Sequence, residues 1–116
     1  MKNLEAIVIT LMLFVTLGVH AQKKSEKKAK KITKEMTQVL DLTKNESEAI
    51  YNIQLNRFEQ NAAIKKQYEN QPEEKKQKLK ELGNKVYNQL KNALGGKQKG
   101  KERLAKWKKY KQSKKK

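Results

Sequence analysis

Hydrophobic residues recur along this chain at three- and four-residue intervals, and nowhere in the alternation of a half-buried strand. The pattern predicts four helices. Ile32, Met36, Val39 and Leu40 mark one face of a first helix over about 26–41. Thr43 and Glu46 have the spacing of a capping box, in which the hydroxyl accepts from the Glu46 N–H and the carboxylate from the Thr43 N–H. A second helix therefore begins at Lys44 and runs to about Tyr68. Its apolar residues form two stripes about 100–140° apart. Ile50, Ile53, Ile64 and Tyr68 lie in one, and Tyr51, Leu55, Phe58 and Ala62 in the other. One interface needs one stripe, so the second predicts a contact outside the chain. Pro72, Glu73 and Glu74 start a third helix, since proline suits the first turn and carboxylates complement the positive end of the helix dipole. Leu79, Leu82, Val86, Leu90 and Ala93 give it a single face, and Gly95-Gly96 end it in the manner of a left-handed cap. Gly83, in its middle, either admits a close neighbour or is simply tolerated. A weaker fourth helix is predicted from Gln98 to Tyr110 around Leu104 and Trp107, with a disordered basic tail at 113–116.

The amino-terminal residues follow a different pattern. Lys2 supplies a positive end, Ala6 to Val19 is uncharged, and Val19 and Ala21 are small residues at the positions a signal peptidase reads. Residues 1–21 are expected to be a cleaved secretory signal, cut between Ala21 and Gln22, which marks the protein for export. The rival reading, a membrane anchor, needs about 20 apolar residues, and the uncharged run has 14. No transmembrane segment is expected after cleavage. The mature domain would span 22–112.

Charge changes the picture further. The formal net charge is +17. Residues 22–34 carry seven lysines and one acid, and 97–116 carry eleven lysines or arginines and one acid. The middle, 35–96, is nearly balanced with ten basic and nine acidic residues. Two strongly cationic ends attract polyanions, acidic protein segments or anionic lipid, or serve as solvated faces.

Catalytic chemistry is scarce. The chain has no cysteine, and its one histidine, His20, leaves with the signal. That removes the commonest general base, the thiol nucleophile and the usual transition-metal ligands together. Glu46 with Glu48 and Glu73 with Glu74 are the closest carboxylate sets, and helix starts account for both. Gly95-Gly96 lacks the Lys-Ser/Thr and preceding strand of a phosphate loop. No enzyme, metal site or cofactor is expected. About twenty large apolar residues lie between Ile32 and Tyr110, few for a slender hairpin that has no disulfide, so a homodimer is expected.

The order of features resembles the LTxxQ-motif family of Spy/CpxP-like periplasmic stress proteins. The resemblance rests on the export signal, the basic first helix, Leu42-Thr43-x-x-Glu46, Leu94-Gly95-x-x-Gln98 and an aromatic-basic helix with Trp107-Lys-Lys-Tyr110. It covers roughly residues 30–112, with the two motif copies 52 residues apart. Glu46 replaces Gln in the first copy, and Gly95 replaces Thr in the second, which loses its hydroxyl cap. The resemblance implies an all-α fold, four helices in a thin elongated hairpin that pairs as an antiparallel, coiled-coil-like homodimer. It makes Leu42, Thr43, Glu46, Leu94 and Gln98 structural corners. Some relatives sense zinc or copper through histidines; none remains here, so metal sensing does not carry over.

Such proteins act as ATP-independent chaperones or envelope-stress adaptors, holding unfolded or acidic clients by charge and dispersed apolar contacts. The candidates for that role here are Lys30, Lys31 and Lys34 on the first helix and Arg57, Phe58, Lys65 and Lys66 on the second. The alternative is a polyanion binder for nucleic acid, polysaccharide or an anionic membrane. Lys106, Trp107, Lys108, Lys109, Tyr110 and Lys111 would then neutralise phosphates and stack bases. A third reading has the spare face of the second helix engage the exported domain of a membrane sensor.

Overall fold

The computed structural model describes residues 19–115. The first eighteen residues of the expected signal lie outside these. Four helices follow in order, α1 (Val19–Leu40), α2 (Lys44–Gln67), α3 (Pro72–Ala93) and α4 (Gly96–Lys114), and the described residues include no strand. None of these helices is long and apolar enough to cross a membrane.

Each joint has a local cause. α1 ends where Asp41 adopts φ 53°, and the Leu42 N–H reaches back to the Thr37 carbonyl at 3.1 Å. This is the six-to-one bond of a Schellman turn, with aspartate in the left-handed position that glycine usually fills. Thr43 then caps α2: its hydroxyl accepts from the Glu46 N–H at 3.2 Å, and the Glu46 carboxylate accepts from the Thr43 N–H at 3.0 Å. A second link joins the same two helices, Thr37 Oγ1 to Ser47 Oγ at 2.8 Å. Pro72 opens α3, and Gly95 and Gly96, both at positive φ, turn the chain into α4.

α1 packs on α2, α2 on α3 and α3 on α4, and α4 closes back onto α1. One core runs through the middle, built from Met36 and Leu40 of α1, Leu42, Ile50 of α2, Leu82, Val86 and Leu90 of α3, Leu94, and Leu104 and Trp107 of α4. The body measures 38 × 31 × 30 Å. A 24-residue helix such as α2 is about 36 Å long, so the molecule is one helix in length. The elongation expected of a hairpin is limited because α4 folds back.

The structure corrects three boundaries. α1 begins at Val19 rather than 26. α4 begins at Gly96 rather than Gln98 and continues to Lys114, through the first part of the expected disordered tail. Lys114 Nζ lies 3.1 Å from Glu35 of α1, a tertiary tether that the tail's composition does not reveal.

The two-stripe pattern of α2 has an internal explanation, which corrects the expectation of an outside contact. Gln54 reaches Met36 of α1, Phe58 lies beneath Lys28 of α1, and Ser47 bonds Thr37 of α1. These residues bracket the stripe of Tyr51, Leu55 and Phe58, which is half-buried; only Ala62 is exposed. Ile53 and Ile64 of the first stripe pack against the core. One stripe serves α1 and the other the shared interior.

The α1–α2 contact thins toward the start of α1. Its buried residues there are Ser25, Ala29 and Thr33, small side chains one helical turn apart. Thr33 Oγ1 and Gln54 Oε1 are buried without a hydrogen-bond partner.

Candidate functional site

The two motif corners meet at one residue that the sequence reading overlooked. Arg103 of α4 donates to both carboxylate oxygens of Glu46, at 2.6 and 3.3 Å. It also donates to the Leu40 carbonyl at 3.1 Å and the Leu94 carbonyl at 3.3 Å, at the ends of α1 and α3. One planar guanidinium, projecting from the middle of α4, therefore ties three helix termini together, a task suited to a rigid fork of donors. The Arg103 hydrogen bond, followed by the Thr43 N–H, lowers the Glu46 pKa to about 2, against the smaller opposing effect of burial. Leu42 and Leu94 are buried at this corner, whereas Gln98 is exposed and α4 has no side-chain cap. The signal for Arg103 was compositional: only two of the 29 basic residues are arginine, Arg57 and Arg103.

Gly100 was missed as well. A Cβ there would overlap the Lys91 carbonyl, so α3 and α4 cross in close contact at this point. Gly83, by contrast, faces open space.

The seven residues proposed to hold clients do not form one patch. Lys30, Lys31 and Lys34 are exposed on the side of α1 opposite Ala29, Thr33 and Met36. The antiparallel register set by Met36–Gln54 and Lys28–Phe58 carries Lys65 and Lys66, both exposed, toward the first turns of α1. Arg57 and Phe58 belong to a separate cluster. The Arg57 guanidinium carbon lies 4.5 Å from the Phe58 ring centroid, and Lys28 Nζ lies 5.9 Å from the same centroid. Burial lowers the Arg57 pKa. On the far side of the α1–α2 contact, burial and then the nearby Glu26 raise the Glu59 pKa.

The α4 group also divides. Trp107 is only 5% exposed and belongs to the core. Tyr110 stacks on it at 5.4 Å and Lys111 Nζ sits 5.7 Å from its ring, so no face is free to receive a base. That corrects the assignment of Trp107 as a stacking platform. Lys106, Lys108 and Lys109 are exposed, and Tyr110, half-buried, lies beneath Lys114 at 5.9 Å.

The described residues hold no group of three or more His, Cys, Asp or Glu placed to bind a metal. Tyr87, at 44%, is the one large hydrophobic residue among them that is exposed. No family model, curated protein or solved structure matches the chain.

Proposed function

We propose that this is an exported, chaperone-like protein that holds acidic or partly unfolded polypeptides in the periplasm without ATP, and that it works as a homodimer. One observation carries the reading. The outward face of α1 presents Lys23, Lys24, Lys27, Lys30, Lys31 and Lys34, all exposed and none in an ion pair among the described residues. Lys65 and Lys66 extend the same end of the hairpin. Such a field draws in acidic chains over a Debye length of about 8 Å at physiological salt. Half-buried apolar groups nearby, Ile64 and Tyr68, supply short-range contact without a fixed pocket. The homodimer rests on the small core, since α2 has no spare stripe to offer.

The test is aggregation of an unfolding enzyme with an equimolar amount of the full chain. Suppression is expected at low salt and should fade toward 1 M, where the Debye length is about 3 Å. Replacing Lys30, Lys31, Lys34, Lys65 and Lys66 by Gln should weaken it. No suppression at low salt removes the proposal, and sedimentation mass at micromolar concentration tests the dimer.

A polyanion reading keeps one supporting observation: Lys101, Lys106, Lys108 and Lys109 are exposed along α4 without ion-pair partners among the described residues. Trp107 plays no part in it. Binding would be electrostatic, with a salt slope set by the phosphates neutralised, and replacing Lys101, Lys106, Lys108 and Lys109 by Gln would abolish it.

A further inference from the structure

The fold brings together two cationic stretches that lie at opposite ends of the sequence. α1 carries seven lysines against two acids, Glu26 and Glu35, and α4 nine lysines or arginines against one, Glu102. α2 carries four basic residues against three acids, and α3 six against three. The net charges are thus +5 and +8 on α1 and α4, but +1 and +3 on α2 and α3. α1 and α4 are neighbours, joined by Arg103 on the Leu40 carbonyl at 3.1 Å and by Lys114 on Glu35 at 3.1 Å. One side of the bundle therefore carries +13 and the other +4; setting the Arg103–Glu46 pair aside leaves +12 against +5. Gathering like charge on one side opposes folding, and lysines kept for solubility alone would be spread evenly.

The acids leave this side almost uninterrupted. Glu35 is held by Lys114, and Glu26 is half-buried and belongs, with Glu59 of α2, to the α1–α2 contact. Glu102 is the one exposed acid on either helix and offsets one lysine of its row. Beside the α1–α4 seam the lysines recur at one-turn intervals. Lys31 lies one turn before Glu35, and Lys27 and Lys24 continue its row. Lys99 and Lys106 lie one turn to either side of Arg103, with Lys109 a turn further on. All six are exposed, and none makes an ion pair among the described residues.

Chemistry narrows the partner. Trp107 is buried and stacked on Tyr110, so this side offers no free ring on which a base could stack. Lysine supplies point charges with no fixed fork, which suits many loosely placed phosphates better than one rigid group. Two helices abreast give a shallow surface about 20 Å wide. A bilayer meets such a surface over its whole breadth, whereas a nucleic-acid duplex meets it along a line. Tyr87, the one exposed large hydrophobic among the described residues, is on α3, so no such side chain stands ready on this side to enter acyl chains. We infer that α1 and α4 together form a docking face for an anionic lipid bilayer, held at the headgroups by charge alone. The inference rests on the polyanion reading and enlarges it from one helix to two. It also draws on α1 lysines of the client surface, so lipid and client compete for them.

The full chain should be sedimented with vesicles of phosphatidylcholine alone and of phosphatidylcholine with an equal part of phosphatidylglycerol. Binding to the anionic vesicles should exceed binding to the neutral ones by at least about tenfold at low salt, and the excess should vanish toward about 1 M. Two variants of equal charge loss locate the face. Replacing Lys27, Lys31, Lys99 and Lys106 by Gln should lower the anionic partition by at least about tenfold. Replacing Lys76, Lys78, Lys80 and Lys85, exposed on α3, should lower it by less than about threefold, since these lie more than a Debye length from the membrane. Lysine acetylation of the bound chain gives a second readout, independent of any contribution from residues 1–18. Lysines of α1 and α4 should be protected on anionic vesicles only, and those of α3 should stay reactive. No anionic preference in either readout, or equal losses in the two variants, overturns the face. Binding to a short DNA duplex without binding to anionic vesicles also overturns it, while leaving the polyanion reading in place. Vesicle binding as expected, with no suppression of aggregation, supports the face and removes the client reading alone.

Discussion

Replacing Arg103 by methionine tests whether the corner is held by its bridge or by its cap. The substitution keeps the aliphatic stem and removes the donors to Glu46, Leu40 and Leu94. The Glu46 capping box survives, because Thr43 holds it without help. Moving a carboxylate from 4.5 to about 2 corresponds to about 3 kcal/mol of preference for the ionised form. The Glu46 side chain is 23% exposed, so solvent reduces this, and Arg103 contributes the largest part. Arg103→Met should therefore destabilise the fold by about 2 kcal/mol at pH 7, or roughly 8–16 °C in Tm for a domain of this size. The pH dependence separates the two explanations. The unfolded chain, with an ordinary carboxylate, takes up its proton first as pH falls. Parent stability should thus hold above about pH 5 and decline between about pH 5 and pH 2. In Arg103→Met that decline should become shallower, because the folded Glu46 returns toward its ordinary value. Urea unfolding followed by circular dichroism across this range measures both. An acid limb of unchanged slope, or a loss at pH 7 below about 0.5 kcal/mol, the size of a surface change, would refute the bridge.

Two glycines in helical stretches should respond oppositely to alanine in thermal melts. Gly83→Ala meets open space and should stabilise by about 0.5–1 kcal/mol, whereas Gly100→Ala meets the Lys91 carbonyl and should cost about 1–3 kcal/mol despite better helix propensity. Gln54→Met removes a buried acceptor that has no partner and should raise the urea midpoint, by about 1 kcal/mol in stability. Glu59→Gln should also stabilise near neutral pH: its raised pKa means the folded state disfavours the ionised carboxylate, a penalty that grows as pH rises through the titration. In hydrogen exchange, amides of 23–34 and 58–67 should exchange faster than those of 36–54 and 86–104, and equal protection of the two ends would contradict the packing described.

The parts of this fold that were legible in the sequence are the local ones. Thr43 and Glu46 read as a cap because donor and acceptor lie within one turn, and Pro72 and Gly95 read as joints because their backbone preferences are intrinsic. The close crossing at Gly100 was invisible, since a glycine inside a helix looks the same whether it faces solvent, as Gly83 does, or a carbonyl. Arg103 joins Glu46 across 57 residues, and nothing near either residue announces the pairing. The end of α4 was hidden for the same reason, because Glu35 holds Lys114. Periodicity counted the two faces of α2 correctly and could not say whose they were. Trp107 among lysines reads equally well as a stacking platform and as a core residue of a cationic helix, and only its burial decides.

The distribution of constraint along the hairpin bears on what the molecule can do. Polar cross-links collect at the corner: the Arg103 bridge, the capping box and the Thr37–Ser47 bond all lie within the last turn of α1 and the first of α2. At the opposite end the α1–α2 contact rests on Ser25, Ala29 and Thr33, which bury little apolar area, beneath a row of lysines that repel one another. The orphaned hydroxyl of Thr33 and amide oxygen of Gln54 mark where the strong packing stops. A molecule built this way can loosen one end without losing its fold, because the corner does not depend on α1's first turns. The loosened end is the one that carries the unpaired lysines. Charge and compliance thus coincide, which supports the proposed capture of clients of irregular shape: long-range attraction would begin the encounter, and a surface with little stability of its own to lose would adapt.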